Sequence, residues 1–163
     1  MRDDETFLYG LCLSDFVKPF ASGEQDSIAI FVTTAGEGVR QRAQELKERG
    51  EYLLCHTLQA LAVETAEAAA ERVHRKIREG WGLFDSPDLT MQDRFKARYH
   101  GIRVSFGYPA CPNLADQELL FRLLDPNSIG VSLTDGCMMD PEATVSALVF
   151  HHRQARYFNV ESA

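Results

Sequence analysis

Apolar and polar positions change their period several times along this chain, and each change predicts an element. Thr6 to Leu13 is apolar and β-prone and stops at Ser14-Asp15. Pro19 and Ala21-Ser22-Gly23 then read as a loop. Ser27 to Thr34 (Ser-Ile-Ala-Ile-Phe-Val-Thr-Thr) is a continuous branched run, the pattern of a buried strand. Gly36 and Gly38 break it. From about Val39 to Gly80 the chain turns to Ala, Leu, Glu, Arg and Gln, the best helix formers. Gly50 predicts a bend or cap between a first helix and a longer second one. In the second, Leu54, Leu58, Leu61, Thr65, Ala69 and Val73 recur at helical spacing and predict a core stripe.

Trp81 to Asp88 is a turn-rich exit. Thr90 to Tyr99 is helix-like, with Thr90 placed as an N-cap and Asp93 three residues on. Asp116 to Leu124 predicts a short amphipathic helix, stopped by Asp125-Pro126. Val131–Leu133, Thr144–His151 and Arg156–Val160 read as three short strands, with Pro141 dividing the first two. Strands at both ends and helices between them predict an α+β fold: a twisted antiparallel β-sheet with a long helical region inserted, not repeated βαβ units.

At 163 residues the chain predicts a single domain, spanning 1–163. An apolar fraction of 45% with ten Phe suffices for a genuine core. The net charge of −7, a pI near 5.2 and the lack of any Lys/Arg run argue against nucleic acid as a partner. No apolar run is long enough to span a bilayer. The acidic start, Met-Arg-Asp-Asp-Glu-Thr, has no signal-peptide core, so a cytoplasmic location is expected. Cys12, Cys55, Cys111 and Cys137 are widely spaced and form no Cys-x-x-Cys, so they read as free, mostly buried thiols.

The stretch with most chemistry is Arg103-Val-Ser-Phe-Gly-Tyr-Pro-Ala-Cys-Pro112. Pro109 and Pro112 fix their own φ, remove two N–H donors and push Tyr108 and Cys111 toward extended geometry. Gly107 leaves the backbone open to close approach. The pattern predicts a stiff, extended strip with free carbonyls and amides beside a guanidinium. Two readings follow from the residues. The strip is a rigid loop packing Phe106 and Tyr108 into the core, or Arg103 grips a ligand carboxylate through two parallel hydrogen bonds that Lys cannot imitate.

Glu67 lies among alanines on the Ala60, Val63, Ala70, His74 side of its helix. It is either a solvated acid or an acid facing a cationic ligand group across small neighbours. His151-His152 sits near a strand end, where adjacent side chains point to opposite faces, so joint chelation is disfavoured and no metal site is expected. His56 and His74 read as polar helix positions. Gly36-Glu37-Gly38 lacks the spacing of a phosphate loop and reads as a strand-to-helix turn. Cys111, between prolines, has no evident base to make it a nucleophile.

Arg103 to Pro112 resembles the R-x-x-x-G-Y-P-x-C-P signature of the activation domain of cobalamin-dependent methionine synthase. Other segments resemble that family in the same order: Leu13–Phe16, Ala60–Glu67, Trp81-Gly82, Tyr99–Arg103, Leu133–Asp135, Ala143–Ser146 and Tyr157–Val160. The likeness runs from roughly Leu11 to Val160.

The resemblance implies a module that binds S-adenosylmethionine (AdoMet) and docks over the domain carrying cobalamin when that cofactor has been oxidised to inactive cob(II)alamin. An electron from flavodoxin or a similar reductase, with methyl transfer from AdoMet, would then restore methylcobalamin. That makes the chain part of a methyltransferase of methionine biosynthesis. Arg103 would hold the AdoMet carboxylate, and the backbone from Arg103 through Val104, Ser105 and Gly107 would bond adenine and ribose. Tyr108 would lie near the ligand and the cobalamin face, Glu67 near the ammonium or sulfonium, and Val149 and Phe150 along the ligand. Val149 stands where some family members carry tyrosine. The family domain has further chain before the part this sequence resembles, including an acid that contacts the ligand's amino group. Asp3, Asp4 and Glu5 give no clear equivalent. The resemblance is thus to the family's C-terminal part, and a second reading is a docking module for a cobalamin domain or reductase that has lost AdoMet binding.

Overall fold

The computed structural model describes residues 11–158. A three-stranded antiparallel sheet carries the fold. β1 (Ala29–Thr34) and β2 (Ile102–Val104) flank a central β5 (Thr144–Phe150). β1 pairs with β5 from Ala29 opposite Val149 to Thr34 opposite Thr144. β2 sets Ile102, Arg103 and Val104 opposite Phe150, Val149 and Leu148. Between β1 and β2 lie α1 (Val39–Glu48), α2 (Tyr52–Gly80) and α3 (Met91–Phe95). α4 (Gln117–Leu124) follows, then a separate ribbon of β3 (Ser132–Leu133) and β4 (Met139–Asp140). The α+β class with an antiparallel sheet and inserted helices is the observed one.

The sheet has two buried faces. Phe31, Val145, Ala147 and Val149 pack on Ala66 and Ala70 of α2. Ile102, Val104 and Phe150 pack on the other side with Phe16, Phe106, Cys111, Leu120 and Phe158. A strand buried on both faces needs no alternation, which is why β5 and β1 read as continuous apolar runs. Buried Gln117 ties α4 to the sheet by accepting a 3.1 Å bond from the Ser146 hydroxyl. α1 lies on α2 through Ala43, Leu46 and Cys55.

Several boundaries behave as their chemistry demands. Gly50, at φ 77°, separates α1 from α2, and Gly36 to Gly38 is the turn from β1 into α1. Thr90 caps α3, and Asp93 returns the bond to its backbone. Asp125-Pro126 ends α4.

Other expectations need correction. The buried face of α2 is Cys55, Ala62, Ala66, Ala70, His74 and Arg78, one residue on from most of the leucine stripe. Leu54 and Leu61 are exposed, while Leu58 and Val73 are partly buried at the margins. One residue is about 100° around a helix. Side-chain size decides the outcome: alanine lets the helix backbone settle close against a sheet already filled by Phe31 and valines. His74, read as a polar helix position, is fully buried. The helix expected over Thr90–Tyr99 ends at Phe95. Leu13 opens a 3-10 turn, and the rest of the Thr6–Leu13 strand falls mostly outside the described residues. Arg156 to Phe158 is not strand, and Asn159 and Val160 lie outside the described residues. Of the four free cysteines, only Cys55 and Cys111 are buried. No helix among the described residues is long and apolar enough to cross a membrane.

Ala70 has no exposed surface in the α2–sheet contact. Ala70→Leu is expected to destabilise the fold by about 1–3 kcal/mol through overpacking, read from urea unfolding. The same change at exposed Ala60 should stay within about 0.5 kcal/mol.

Candidate functional site

Three residues of β2 divide their side chains between two environments. Ile102 and Val104 are buried in the apolar layer, so alternation turns Arg103 to the opposite face, toward α2. There its Nη2 donates to Oε2 of Glu67 at 3.2 Å. Arg103 is 21% exposed and Glu67 52%, so solvent reaches the pair. The second guanidinium nitrogen, Nη1, is buried with no partner among the described residues. β2 lies at the edge of its sheet, leaving one side of its backbone without a strand among the described residues.

Beneath the pair runs a polar stripe along α2. Glu67, Glu71, His74 and Arg78 are four, three and four residues apart, which sets them on one helix face. Tyr99 caps the stripe. Its hydroxyl donates to Glu71 Oε2 at 3.1 Å. Its ring meets His74 edge-on, with centroids 5.3 Å apart. The Arg78 guanidinium lies 3.8 Å from the ring centroid, a cation–π contact. Arg78 also donates to Asp85 at 2.7 Å, and both side chains are almost wholly buried. Arg94 completes the set with a short bond to the other Asp85 oxygen.

These surroundings fix the charges. Burial pushes the His74 imidazole down to about 3, and the cationic Arg78 and Arg103 add to the effect. His74 is therefore neutral, and neither ring nitrogen has a partner among the described residues. Burial drives the Tyr99 phenol up to about 12, helped by the charge and bond of Glu71. Burial opposes ionisation of Asp85, but the bonds from Arg78 and Arg94 outweigh it and hold the carboxyl below its usual range.

The other expected site residues are distributed unevenly. Val149 stands opposite Arg103 and packs on the α2 face. Val104 and Phe150 turn their side chains into the far apolar layer, so only their backbones adjoin Arg103. Ser105 is half-buried where β2 ends. The chain then stops being an extended strip: Phe106-Gly107 and Pro109-Ala110 are turns. Cys111 N–H donates to the Tyr108 carbonyl at 2.8 Å, and Gly107 N–H donates to the Cys111 carbonyl at 2.9 Å. Proline at the second position of the Tyr108–Cys111 turn favours closure, so Pro109 builds a tight turn here. The Gly107 amide is thereby committed internally. Tyr108 projects from the turn, 59% exposed.

His74, Arg78, Asp85, Arg94 and Tyr99 were not singled out by sequence reasoning as a site. The available signal was the 4-3-4 polar spacing that continues from Glu67 along α2. His151 and His152 diverge: His151 Nε2 meets Asp26 at 3.0 Å, while His152 Nδ1 accepts from the Gln154 amide at 3.2 Å. Among the described residues no group of three or more His, Cys, Asp or Glu is placed to hold a metal. A cavity of about 480 Å³ lined by Leu83, His100 and residues 151–154 lies at the entry end of β2, away from the Gly107 turn.

Comparison with known proteins bears on this geometry. The family model described as "Vitamin B12 dependent methionine synthase, activation domain" matches residues 2–163. A methionine synthase of Mycobacterium tuberculosis is 36% identical over 162 residues, covering 92% of this chain and 13% of that protein. One from Mycobacterium leprae is 34% identical over 161 residues, with the same two shares, 92% and 13%. The chain thus spans about an eighth of the length of these relatives. A crystal structure of the MetH reactivation domain bound to AdoHcy superposes with a TM-score of 0.86 at 32% identity, covering 91% of this chain and 46% of that one.

The buried neutral histidine has a measurable consequence. An unfolded His74 takes a proton near its ordinary value of 6.5, whereas the folded one resists to about 3. Between those limits the unfolded state binds more protons, so stability falls as pH drops. His74→Leu should lose less stability than the parent chain between pH 6.5 and 4, by up to about 1.4 kcal/mol per pH unit. Urea unfolding at several pH values reads the difference, and parallel slopes would show that His74 does not titrate this way.

Proposed function

We propose, from the premise that this chain belongs to the vitamin B12 dependent methionine synthase activation domain family, that it binds AdoMet along the outer edge of β2. There it would orient the methyl donor toward cobalamin held by another domain. One observation carries the reading: the solvent-reached pair between Arg103 of an edge strand and Glu67 of α2. The amino-acid tail of AdoMet is a zwitterion and carries the complement of both charges. Its carboxylate replaces Glu67 on Arg103, and its ammonium replaces Arg103 on Glu67. Both internal charges stay paired through the exchange. Nη1 of Arg103, buried and without a partner among the described residues, would supply the second arm of a bidentate grip once the guanidinium turns from Glu67 to the carboxylate.

The adenosine part lies along the backbone of Arg103, Val104 and Ser105, beside Val149 and the Phe150 main chain, with Tyr108 at the turn. Gly107 contributes by its lack of a side chain, since its amide is already bonded to Cys111. The binding of AdoHcy by the structurally similar reactivation domain supports this assignment. When bound, AdoMet supplies the methyl group for remethylation of a cobalamin reduced by flavodoxin or a similar reductase, within methionine biosynthesis. This chain's contribution is proximity and orientation, which need no proton-transferring side chain. The four unpaired cysteines suit a reducing cytoplasm.

A second reading has its own supporting observation. Arg103 is already satisfied in part by Glu67, and Val149 offers no ring or hydroxyl at the strand opposite. The chain would then dock to a cobalamin domain or reductase without holding AdoMet. Calorimetric titration with AdoMet separates the two. AdoMet should bind, and Arg103→Ala should weaken it by about 10- to 100-fold, the value of hydrogen bonds to a charged group. Equal binding by both proteins would remove Arg103 from the site. Association with a cobalamin domain while AdoMet binding is undetectable would favour the second reading.

A further inference from the structure

We propose that Tyr99, held by Glu71, His74 and Arg78 of α2, is a positioning residue that sets the Arg103 guanidinium for the ligand's carboxylate. The inference rests on the AdoMet reading of the site and extends it to residues that do not touch the ligand.

Tyr99 is fixed from three sides. Its hydroxyl is bonded to Glu71, its edge meets His74, and its face carries Arg78. Arg78 is itself immobilised by Asp85. From Tyr99 the chain reaches Arg103 in four residues with little slack. Gly101 takes φ +86°, and a Cβ there would stand 2.8 Å from the Phe150 carbonyl and 3.6 Å from the Arg78 stem. The backbone is thus wedged between β5 and Arg78. Register with Val149 then fixes the height at which Arg103 leaves the sheet.

The stripe also supplies what a positioned guanidinium needs around it. Glu67 and Glu71 are one turn apart, so the acid that pairs with Arg103 and the acid that holds Tyr99 share a face. Neutral His74 adds no positive charge beside Arg103, and burial with the two neighbouring guanidinium groups keeps it so. A guanidinium whose backbone is fixed in register and which already faces an acid loses little freedom when it grips a ligand.

The test compares two ligands of the 163-residue chain. AdoHcy has the amino-acid tail; 5′-methylthioadenosine keeps the adenosine and thioether but has neither carboxylate nor ammonium. Tyr99→Phe removes one hydroxyl and keeps the ring. It should weaken AdoHcy by about 3- to 10-fold and leave methylthioadenosine within about twofold, as loss of one hydrogen bond acting through Arg103 requires. Glu71→Gln, which retains an acceptor for the phenol, should bind AdoHcy nearly as the parent does, whereas Glu71→Ala should match Tyr99→Phe. In an Arg103→Ala background Tyr99→Phe should have no further effect on AdoHcy. An unchanged AdoHcy affinity, equal weakening of both ligands, or an undiminished effect without Arg103 would each overturn the inference while leaving the AdoMet reading standing. If the parent chain fails to bind AdoHcy, or Arg103→Ala binds it equally well, the AdoMet reading falls and the inference with it.

Discussion

The contact on which the site depends is the buried ion pair between Arg78 and Asp85. Two charges withdrawn from water carry a desolvation cost of several kcal/mol each, and only close geometry offsets it. Here Asp85 receives two guanidinium groups, Arg78 and Arg94, and Arg78 spends its face on Tyr99. That small assembly joins the end of α2 to the long exit segment and to the residues entering β2. Without it the exit segment has few apolar side chains to hold it: Phe84 and Phe95 are both largely exposed. The chain uses charge at this place because the surface that needs fixing is polar on its other side, where Arg103 and Glu67 meet solvent.

The sheet shows how little structure a binding site requires. β2 is three residues long. Two of them are anchored in a layer of phenylalanines, and the one between them is thereby delivered to the opposite face. β5, buried on both faces, sets the register. α2 can approach because alanine lies where it meets the sheet, and the next residues around its circumference become the polar stripe. Apolar packing and functional polarity are neighbouring faces of one helix, so a change in the first displaces the second.

The sequence made much of this readable, and its omissions have physical causes. The runs that became β1 and β5, the break at Gly50 and the Thr90 cap were legible because each rests on local chemistry. The face of α2 was not, because hydrophobicity favoured leucine where close packing on a sheet required alanine. The prolines after Arg103 suggested an extended strip, yet a proline in the second position of a tight turn satisfies the same φ restriction, and hydrogen bonding decided between them. Arg103 and Glu67 were recognisable as candidates, and their contact is a tertiary fact. His74 read only as a polar helix position because nothing local signals that Tyr99, 25 positions later, comes back to cover it.

Binding at this site turns on the exchange of the Arg103–Glu67 pair for the two charges of an amino-acid tail. The direct measurement is a crystal structure of the chain with AdoHcy bound. Both Arg103 nitrogens should lie on the ligand carboxylate and Glu67 should turn to its ammonium, with Tyr99 and Arg78 in the places they occupy now. A ligand seated elsewhere, or an Arg103 still bonded to Glu67 beside a bound ligand, would contradict the exchange.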